Sequence, residues 1–157
     1  MQFFSPTKGA LSFEGVFTEI MAYVRESAND PYKLIIGSDS QTKDNEVCFV
    51  TAIVVHRVGK GARYFYQRRG HRPMASLRQK IFYETALSLG LASQLAERLA
   101  RSGHAHLNIE IHLDVGSSGD TRDLIREIVG MVTGSGFDAK IKPDSYGAST
   151  VADKYTK

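Results

Sequence analysis

The feature that most constrains the fold is a series of three apolar and aromatic segments, separated by short polar turns, between residues 32 and 70. The first two are "YKLIIGSDSQ" and "VCFVTAIVVHRV", on either side of the turn "TKDNE". The turn "GKG" then leads into the third segment, "ARYFYQRRG". Connections this short join antiparallel neighbours, so the pattern predicts a three-strand meander.

Helices and strands are expected to alternate in the rest of the chain. Apolar residues recur at helical spacing over residues 11 to about 27, and "AND" before Pro31 ends that helix. A long helix is predicted from about Ser76 to Arg101. Its predicted buried stripe consists of Leu77, Ile81, Ser88, Ala92, Leu95 and Leu99.

The second half of the chain predicts strand, helix, strand and helix. The segment "LNIEIHLDVG" alternates apolar with polar residues, and Asp120 or Thr121 is expected to cap the helix that follows. The segment "DAKIK" predicts a short strand, and "GASTVADKYTK" predicts a terminal helix. We therefore expect one α/β domain over residues 1–157. Its predicted five-stranded mixed sheet combines the antiparallel meander with two parallel strands and is flanked by helices, with helix 11–27 added before the first strand.

Composition restricts the cellular setting. No run approaches the roughly 18 apolar residues of a membrane span. The opening "MQFFSPTKG" resembles neither a signal peptide nor a transit peptide. The single cysteine, Cys48, has no internal disulfide partner and lies in an apolar run, which predicts a buried, inert thiol. A cytoplasmic location is therefore expected.

The charge of the chain is unevenly distributed. The net charge is +3, but residues 57–80 contain eight lysines and arginines and no acid. The remainder is therefore net acidic. This asymmetry predicts an anionic partner on one side and acidic chemistry elsewhere, with a solvated hairpin face as the alternative.

Four carboxylates occur where local pattern favours other residues. Asp39 ends the first strand of the meander, and Asp114 lies near the end of the fourth strand. Glu84 flanks the apolar stripe of the long helix, and Asp153 lies in the terminal helix. Ligands gather beyond the carboxyl ends of strands in open sheets. The four acids are therefore expected to meet at one sheet edge.

Clustered carboxylates suit hard cations such as magnesium. Two such ions about 3.5–4 Å apart can orient a water and stabilise the leaving oxygen of a phosphodiester. Each acid also has an ordinary alternative role: a turn bond for Asp39, a helix-flank carboxylate for Glu84, a cap for Asp114 and a solvated terminus for Asp153. The joint placement favours the metal interpretation.

The order of elements and the four acids resemble the ribonuclease H-like fold. The blocks "IIGSDSQ", "YETALSLGLA", "IHLDVGSSGDTR" and "KPDSYGASTVADKYT" resemble the YkuK-type bacterial family within it, over nearly the whole chain. The resemblance implies a nuclease-like site that holds two Mg²⁺ or Mn²⁺ ions. The implied metal-binding and catalytic residues are Asp39, Glu84, Asp114 and Asp153.

Several auxiliary residues accompany this set. Asp144 is the alternative to Asp153 as fourth acid, and Ser40 follows Asp39 where the ribonuclease H form has glycine. His112 shares the polar face of its strand with Asp114, so it either positions water or phosphate or is a hydrogen-bonded structural histidine. The loop "DVGSSGDTR" also suggests phosphate binding, as in actin-like kinases, but those enzymes need two lobes.

The segment "RYFYQRRGHR" interleaves aromatic and basic residues, a pattern typical of nucleic-acid binding. Its tyrosines either stack on bases or pack on one strand face while Phe65 enters the core. The predicted nucleic-acid-binding residues are Tyr64, Tyr66, Arg68, Arg69, His71 and Arg72.

Two functions are consistent with the sequence. The first is a metal-dependent nuclease that hydrolyses phosphodiester bonds in nucleic acid. The second is a nucleic-acid-binding module that keeps the fold without useful catalysis. The sequence leaves the type of nucleic acid (RNA, RNA–DNA hybrid or DNA) and the oligomeric state open.

Overall fold

The computed structural model describes residues 2–116, 121–145 and 147–156. Its elements are β1 (Phe3–Ser5), β2 (Gly9–Leu11), α1 (Phe13–Glu26), β3 (Tyr32–Lys43), β4 (Glu46–Arg57), β5 (Gly61–His71), α2 (Leu77–Arg101), β6 (Ile109–His112), a 3-10 turn (Arg122–Leu124), α3 (Ile125–Gly134), β7 (Asp138–Lys140) and α4 (Ala148–Thr156).

The strands form one mixed sheet in the order β2-β1-β5-β4-β3-β6-β7. Strands β3, β4 and β5 are the predicted antiparallel meander, and β6 and β7 are the predicted parallel pair. The expected fold class is confirmed, but the sheet has seven strands rather than five. The two additional strands form an N-terminal hairpin, in which Phe4 pairs with Tyr66 of β5. Three-residue strands are too short to give a recognisable alternation.

Helices cover the two faces of the sheet unequally. Helices α1, α2 and α3 bury one face in a large core, and α4 packs on the other face in a smaller one. The side chains of β3 alternate between these two cores, since Leu34 and Ile36 enter the first and Ile35 the second. The same alternation continues into the polar end of β3.

Helix α2 begins after Ser76, whose hydroxyl accepts a hydrogen bond from the backbone N–H of Gln79 at 3.1 Å. Five members of the predicted stripe are buried, but Leu77 is 42% exposed. Leu77 is the first residue of the helix, and burial begins one turn later, at Ile81. None of the helices in the described ranges combines the length and apolarity needed to cross a membrane.

Other elements differ from expectation in their length, capping or burial. Strand β6 is shorter than predicted, and its polar residues Glu110 and His112 are buried as well as its apolar ones. Asp120 lies outside the described residues, and Thr121 precedes a 3-10 turn without a side-chain capping bond. Cys48 is half-buried rather than buried, since it lies at the margin of the smaller core.

Gly37 allows α4 to approach β3 closely. A Cβ atom at this position would lie 2.9 Å from the backbone nitrogen of Ser149 and 3.0 Å from Cβ of Ala148. Asp153 follows Ser149 by one helical turn and therefore lies on the same side of α4. The absence of a side chain at residue 37 thus sets the height of α4 above the end of β3.

We expect Gly37→Ala to lower the free energy of unfolding by about 1–3 kcal/mol, because the added methyl group would meet backbone that cannot move freely. Gly90→Ala is the control, since a Cβ atom there meets nothing within 4 Å. This helical change should stabilise the protein by up to about 1 kcal/mol. Urea denaturation measures both, and equal midpoints for the two variants would contradict the close approach.

Candidate metal centre

Asp39 and Asp153 meet between β3 and α4. The side chain of Asp39 points to the α4 side of the sheet, where its carboxyl group is hydrogen-bonded to that of Asp153. Burial raises the pKa of Asp39 to about 7, with further contributions from the bond to Asp153 and the charge of Asp114, while a backbone bond from Ser40 lowers it. At neutral pH, the carboxyl group of Asp39 therefore carries a proton for part of the time.

Glu84 approaches the same strand end from the opposite side of the sheet. Its side chain lies on the buried face of α2 and is only 7% exposed. The Ser40 hydroxyl donates a hydrogen bond of 2.6 Å to Oε2 of Glu84. Burial raises the pKa of Glu84 to about 8, the bond from Ser40 lowers it, and the charges of Asp39 and Asp114 raise it. The centre thus contains more carboxylate charge than its surroundings stabilise.

Asp114 lies just beyond β6 and forms an ion pair with a lysine. The Lys142 Nζ atom is 2.7 Å from Oδ1 of Asp114, and this contact raises the pKa of Lys142 above its ordinary value. Lys142 therefore remains charged at neutral pH. Sequence reasoning missed this residue, although it precedes Pro143 and lies two residues after β7, the strand that pairs with β6.

Buried hydroxyl groups support the acids. The Ser38 hydroxyl is 2.8 Å from that of Thr51 on β4 and 2.8 Å from that of Ser88 on α2. All three residues are buried. A cavity of about 10 Å³ lies between Ser38, Glu84 and Asp114, which is at the lower limit for a single water molecule. This network fixes the packing of α2 on β3 and with it the position of Glu84.

His112 is a buried, hydrogen-bonded histidine. Its Nδ1 atom accepts a hydrogen bond from the backbone N–H of Gly147 at 3.3 Å, and its Nε2 atom lies 3.1 Å from Oε1 of Glu110. Burial lowers the pKa of His112. The structure therefore shows the hydrogen-bonded structural histidine, and a role for His112 in positioning water or phosphate stays a prediction.

The two candidates for the fourth acid, Asp153 and Asp144, lie in different places. Asp153 contacts Asp39, whereas Asp144 is exposed and lines a different cleft of about 480 Å³, together with Lys33 and Lys140. Asp153 is therefore the better placed of the two.

The aromatic residues of β5 pack within the protein. The ring of Tyr66 is stacked on that of Tyr155 in α4, with centroids 3.8 Å apart, and the hydroxyl groups of Tyr64 and Tyr155 are 2.6 Å apart. Phe65 is buried in the large core. The packing interpretation of these tyrosines is thus observed, and base stacking by them stays a prediction.

The basic residues of β5 divide between the two faces of the sheet. Arg68 lies on the α4 side, where its Nε atom donates a hydrogen bond of 2.9 Å to the carbonyl oxygen of Tyr155. His71 lies on the other side, with its ring centroid 5.1 Å from that of Tyr83 on α2. Arg69 is half-buried on this second side, and Arg72 is exposed beyond the strand end.

Other cations of the basic segment have partners inside the protein. The guanidinium group of Arg57 lies 4.0 Å from the ring centroid of Tyr23, and Arg78 forms a two-point ion pair with Glu127. These two cations have partners within the protein, and the anionic partner expected on one side of the molecule stays a prediction.

The four acids match a divalent cation in chemistry, because all their donors are carboxylate oxygens. Burial is the main cause of the raised pKa values of Asp39 and Glu84, and repulsion from neighbouring carboxylates, which a cation would relieve, adds to it. Among residues 2–116, 121–145 and 147–156, no three His, Cys, Asp or Glu side chains are grouped so that they could hold one ion. The donor set fits in kind, but an ion that uses Asp114 must replace Lys142.

The chain belongs to a known class of protein. A family model described as "Ribonuclease H-like" matches residues 15–157, so the chain belongs to the ribonuclease H-like family. It is 38% identical over 166 residues to YkuK of Bacillus subtilis (strain 168), covering 99% of this chain and 96% of YkuK. The predicted resemblance is confirmed.

A solved structure is also similar. It is the N-terminal RNase H domain of Rv2228c from Mycobacterium tuberculosis, solved as a fusion with maltose-binding protein. The match is 13% identical with a TM-score of 0.38, over 80% of this chain and 96% of that one. Membership in the ribonuclease H-like family, which rests on the family model, indicates a nuclease-type or other nucleic-acid-related function.

The raised pKa values predict how stability depends on pH. An unfolded carboxyl group loses its proton near pH 4, whereas folded Asp39 and Glu84 retain theirs to about pH 7 and about pH 8. The free energy of unfolding should therefore fall from about pH 4 to about pH 8 and then level off. Urea midpoints in a chelating buffer measure this, and Glu84→Gln should flatten the fall.

Glu97→Gln is the matched control on α2, because its side chain is 73% exposed. This variant should show the wild-type pH dependence. Parallel curves for wild type and Glu84→Gln would contradict the burial of Glu84 as an ionisable group.

Proposed function

We propose that this chain is a metal-dependent nuclease that hydrolyses phosphodiester bonds in nucleic acid, with two divalent ions, Mg²⁺ or Mn²⁺. The proposed ligands are Asp39, Glu84, Asp114 and Asp153. The observation that carries the proposal is the contact between Asp39 and Asp153 at the end of β3, where burial, the bond to Asp153 and the charge of Asp114 raise the pKa of Asp39 to about 7. A protein retains such a cluster at a cost in stability, and cation binding is the function that accounts for it.

Divalent ions at such a site would activate a water and stabilise the leaving oxygen. The protein's own residues would do the remaining work. Ser40 orients Glu84 through its 2.6 Å hydrogen bond, and the contact between Asp39 and Asp153 holds α4 against the strand end. The hydroxyl network behind Glu84 keeps α2 at a fixed distance from β3. The acids are thus positioned before any substrate arrives.

The register of the meander supports a path for the nucleic-acid backbone. Asp39 pairs with Val50, which pairs with Arg68, so Asp39 and Arg68 lie two strands apart on one face. Ser40 and Arg69 have the same relation on the other face. With a strand spacing of about 4.8 Å, the backbone of Arg68 lies roughly 10 Å from that of Asp39, and the backbone of Arg69 lies at a similar distance from that of Ser40. Phosphates on either side of a bond held at the acids would come within reach of these arginines.

A second function is a nucleic-acid-binding module without useful catalysis. The observation that favours it is the ion pair between Lys142 and Asp114, which already neutralises one of the four acids. Binding of nucleic acid does not separate the two proposals, since both use the basic residues. Dependence of cleavage on a divalent ion and on Asp39 does separate them. A cytoplasmic location stays a prediction under either proposal.

We expect Asp39→Asn to lower Mg²⁺- or Mn²⁺-dependent cleavage by about a hundredfold or more, because it removes a proposed metal ligand. Labelled RNA, RNA–DNA hybrid and single-stranded DNA are the substrates, each assayed with and without chelator. Asp44→Asn is the control: it makes the same change at an exposed residue of the β3–β4 turn and should leave the rate unchanged.

Two results would contradict the nuclease proposal. Equal cleavage by wild type and Asp39→Asn would identify a contaminating nuclease. No cleavage of any substrate, with binding intact in both proteins, would favour the binding module instead.

We expect Arg72→Ala to weaken binding of all nucleic-acid sequences about equally and to lower the salt slope of binding by about 1, as for the loss of one phosphate contact. Arg126→Ala is the control, because Arg126 is exposed on α3, away from the meander. Fluorescence anisotropy at several salt concentrations measures both. An unchanged slope for Arg72→Ala would exclude Arg72 from the phosphate path.

A further inference from the structure

Lys142 lies at the centre, and the proposed metal chemistry does not explain its presence there. Its Nζ atom lies 2.7 Å from Oδ1 of Asp114, at the edge of the acid cluster. Asp39 also acts on its charge, so the ammonium group lies within the field of two of the four proposed ligands. A cation is therefore already present where the proposed function requires one.

The backbone holds Lys142 in this place. Its amide N–H donates a hydrogen bond of 2.8 Å to the carbonyl oxygen of Val115, the residue after Asp114. Gly116 leaves room for the lysine stem, because a Cβ atom there would lie 3.2 Å from Cβ of Lys142. The two segments that carry the acid and the lysine are thus tied side by side. The ion pair follows from the chain path and not only from a surface side chain that reaches across.

The lysine side chain is anchored at its base and open at its tip. It is 59% exposed, and that of Asp114 is 34% exposed. The ammonium group can therefore move into water without disturbing the core. This combination suits an ammonium group that binds Asp114 and can be released from it, rather than one that is fixed there.

We propose that Lys142 is a tethered counter-cation that holds Asp114 in the metal-free protein and competes with divalent metal for it. This inference rests on the proposed function, since it concerns the same site. It explains why the described acids are not grouped around one point while Asp114 is paired with Lys142. Metal binding then releases Lys142, and the site exchanges one cation for another.

The competition predicts a change in metal affinity without any nucleic acid present. Lys142→Gln should bind Mn²⁺ about tenfold more tightly than wild type, because no charged hydrogen bond must be broken first. Lys142→Arg retains the charge and should bind as wild type does. Lys140→Gln is the matched control, since Lys140 lines the separate cleft beside β6. Electron paramagnetic resonance of free Mn²⁺ measures all four proteins.

A second measurement uses wild type alone, so it does not depend on the folding of a variant. Addition of Mn²⁺ should increase the acetylation of Lys142 several-fold, because the amine leaves Asp114. Acetylation of Lys140 should stay constant. Mass spectrometry after brief exposure to acetic anhydride reads both lysines in one sample.

The outcomes distinguish this inference from the proposed function. Tighter binding in Lys142→Gln, with a metal-dependent rise in Lys142 labelling, supports it. Two results would overturn the proposed competition and leave the metal site intact. One is equal Mn²⁺ affinity for wild type and Lys142→Gln, and the other is Mn²⁺ binding by wild type with constant labelling of Lys142. Absence of Mn²⁺ binding in every protein overturns the metal-dependent function and this inference with it.

Discussion

The site depends on the alternation of side chains at the end of β3. This strand lies between β4 and β6, so its polar residues must point into one helical layer or the other. Asp39 points to α4, while Ser38 and Ser40 point to α2. Carboxylates from both layers thereby approach one strand end. A shift of register by one residue would exchange these faces and disperse the acids.

Burial raises the pKa values of two of the acids and lowers the stability of the fold at neutral pH. Glu84 and Asp39 have raised pKa values because each loses solvent and gains like-charged neighbours. The surrounding protein compensates only in part, through the hydroxyl of Ser40 and the ammonium group of Lys142. An incompletely neutralised set of oxygen donors is what a cation-binding site requires before it is loaded. The same feature reduces the stability of the metal-free fold at neutral pH.

The sequence predicted the elements with strong periodicity and missed those set by tertiary contact. The meander, the long helix and β6 were recognisable because each lies in a long apolar pattern. Strand β7 is only three residues long, and it was recognised from its place between "GSGF" and Pro143. The N-terminal hairpin was missed because its two three-residue strands have no periodic pattern of their own. The four acids could be named from their positions on elements, but the pairing of Lys142 with Asp114 depends on how two loops lie together. The division of Arg68 and Arg69 between faces follows from simple alternation and could have been foreseen.

The most direct test of the central claim is anomalous diffraction from a crystal soaked in Mn²⁺. The account predicts anomalous density among the carboxyl groups of Asp39, Glu84, Asp114 and Asp153, with the ammonium group of Lys142 withdrawn from Asp114. Absence of density at saturating Mn²⁺, with Lys142 still bound to Asp114 and Asp39 still bound to Asp153, would contradict it. The acids would then be a buried structural cluster, and the chain a ribonuclease H-like protein that acts without metal at this place.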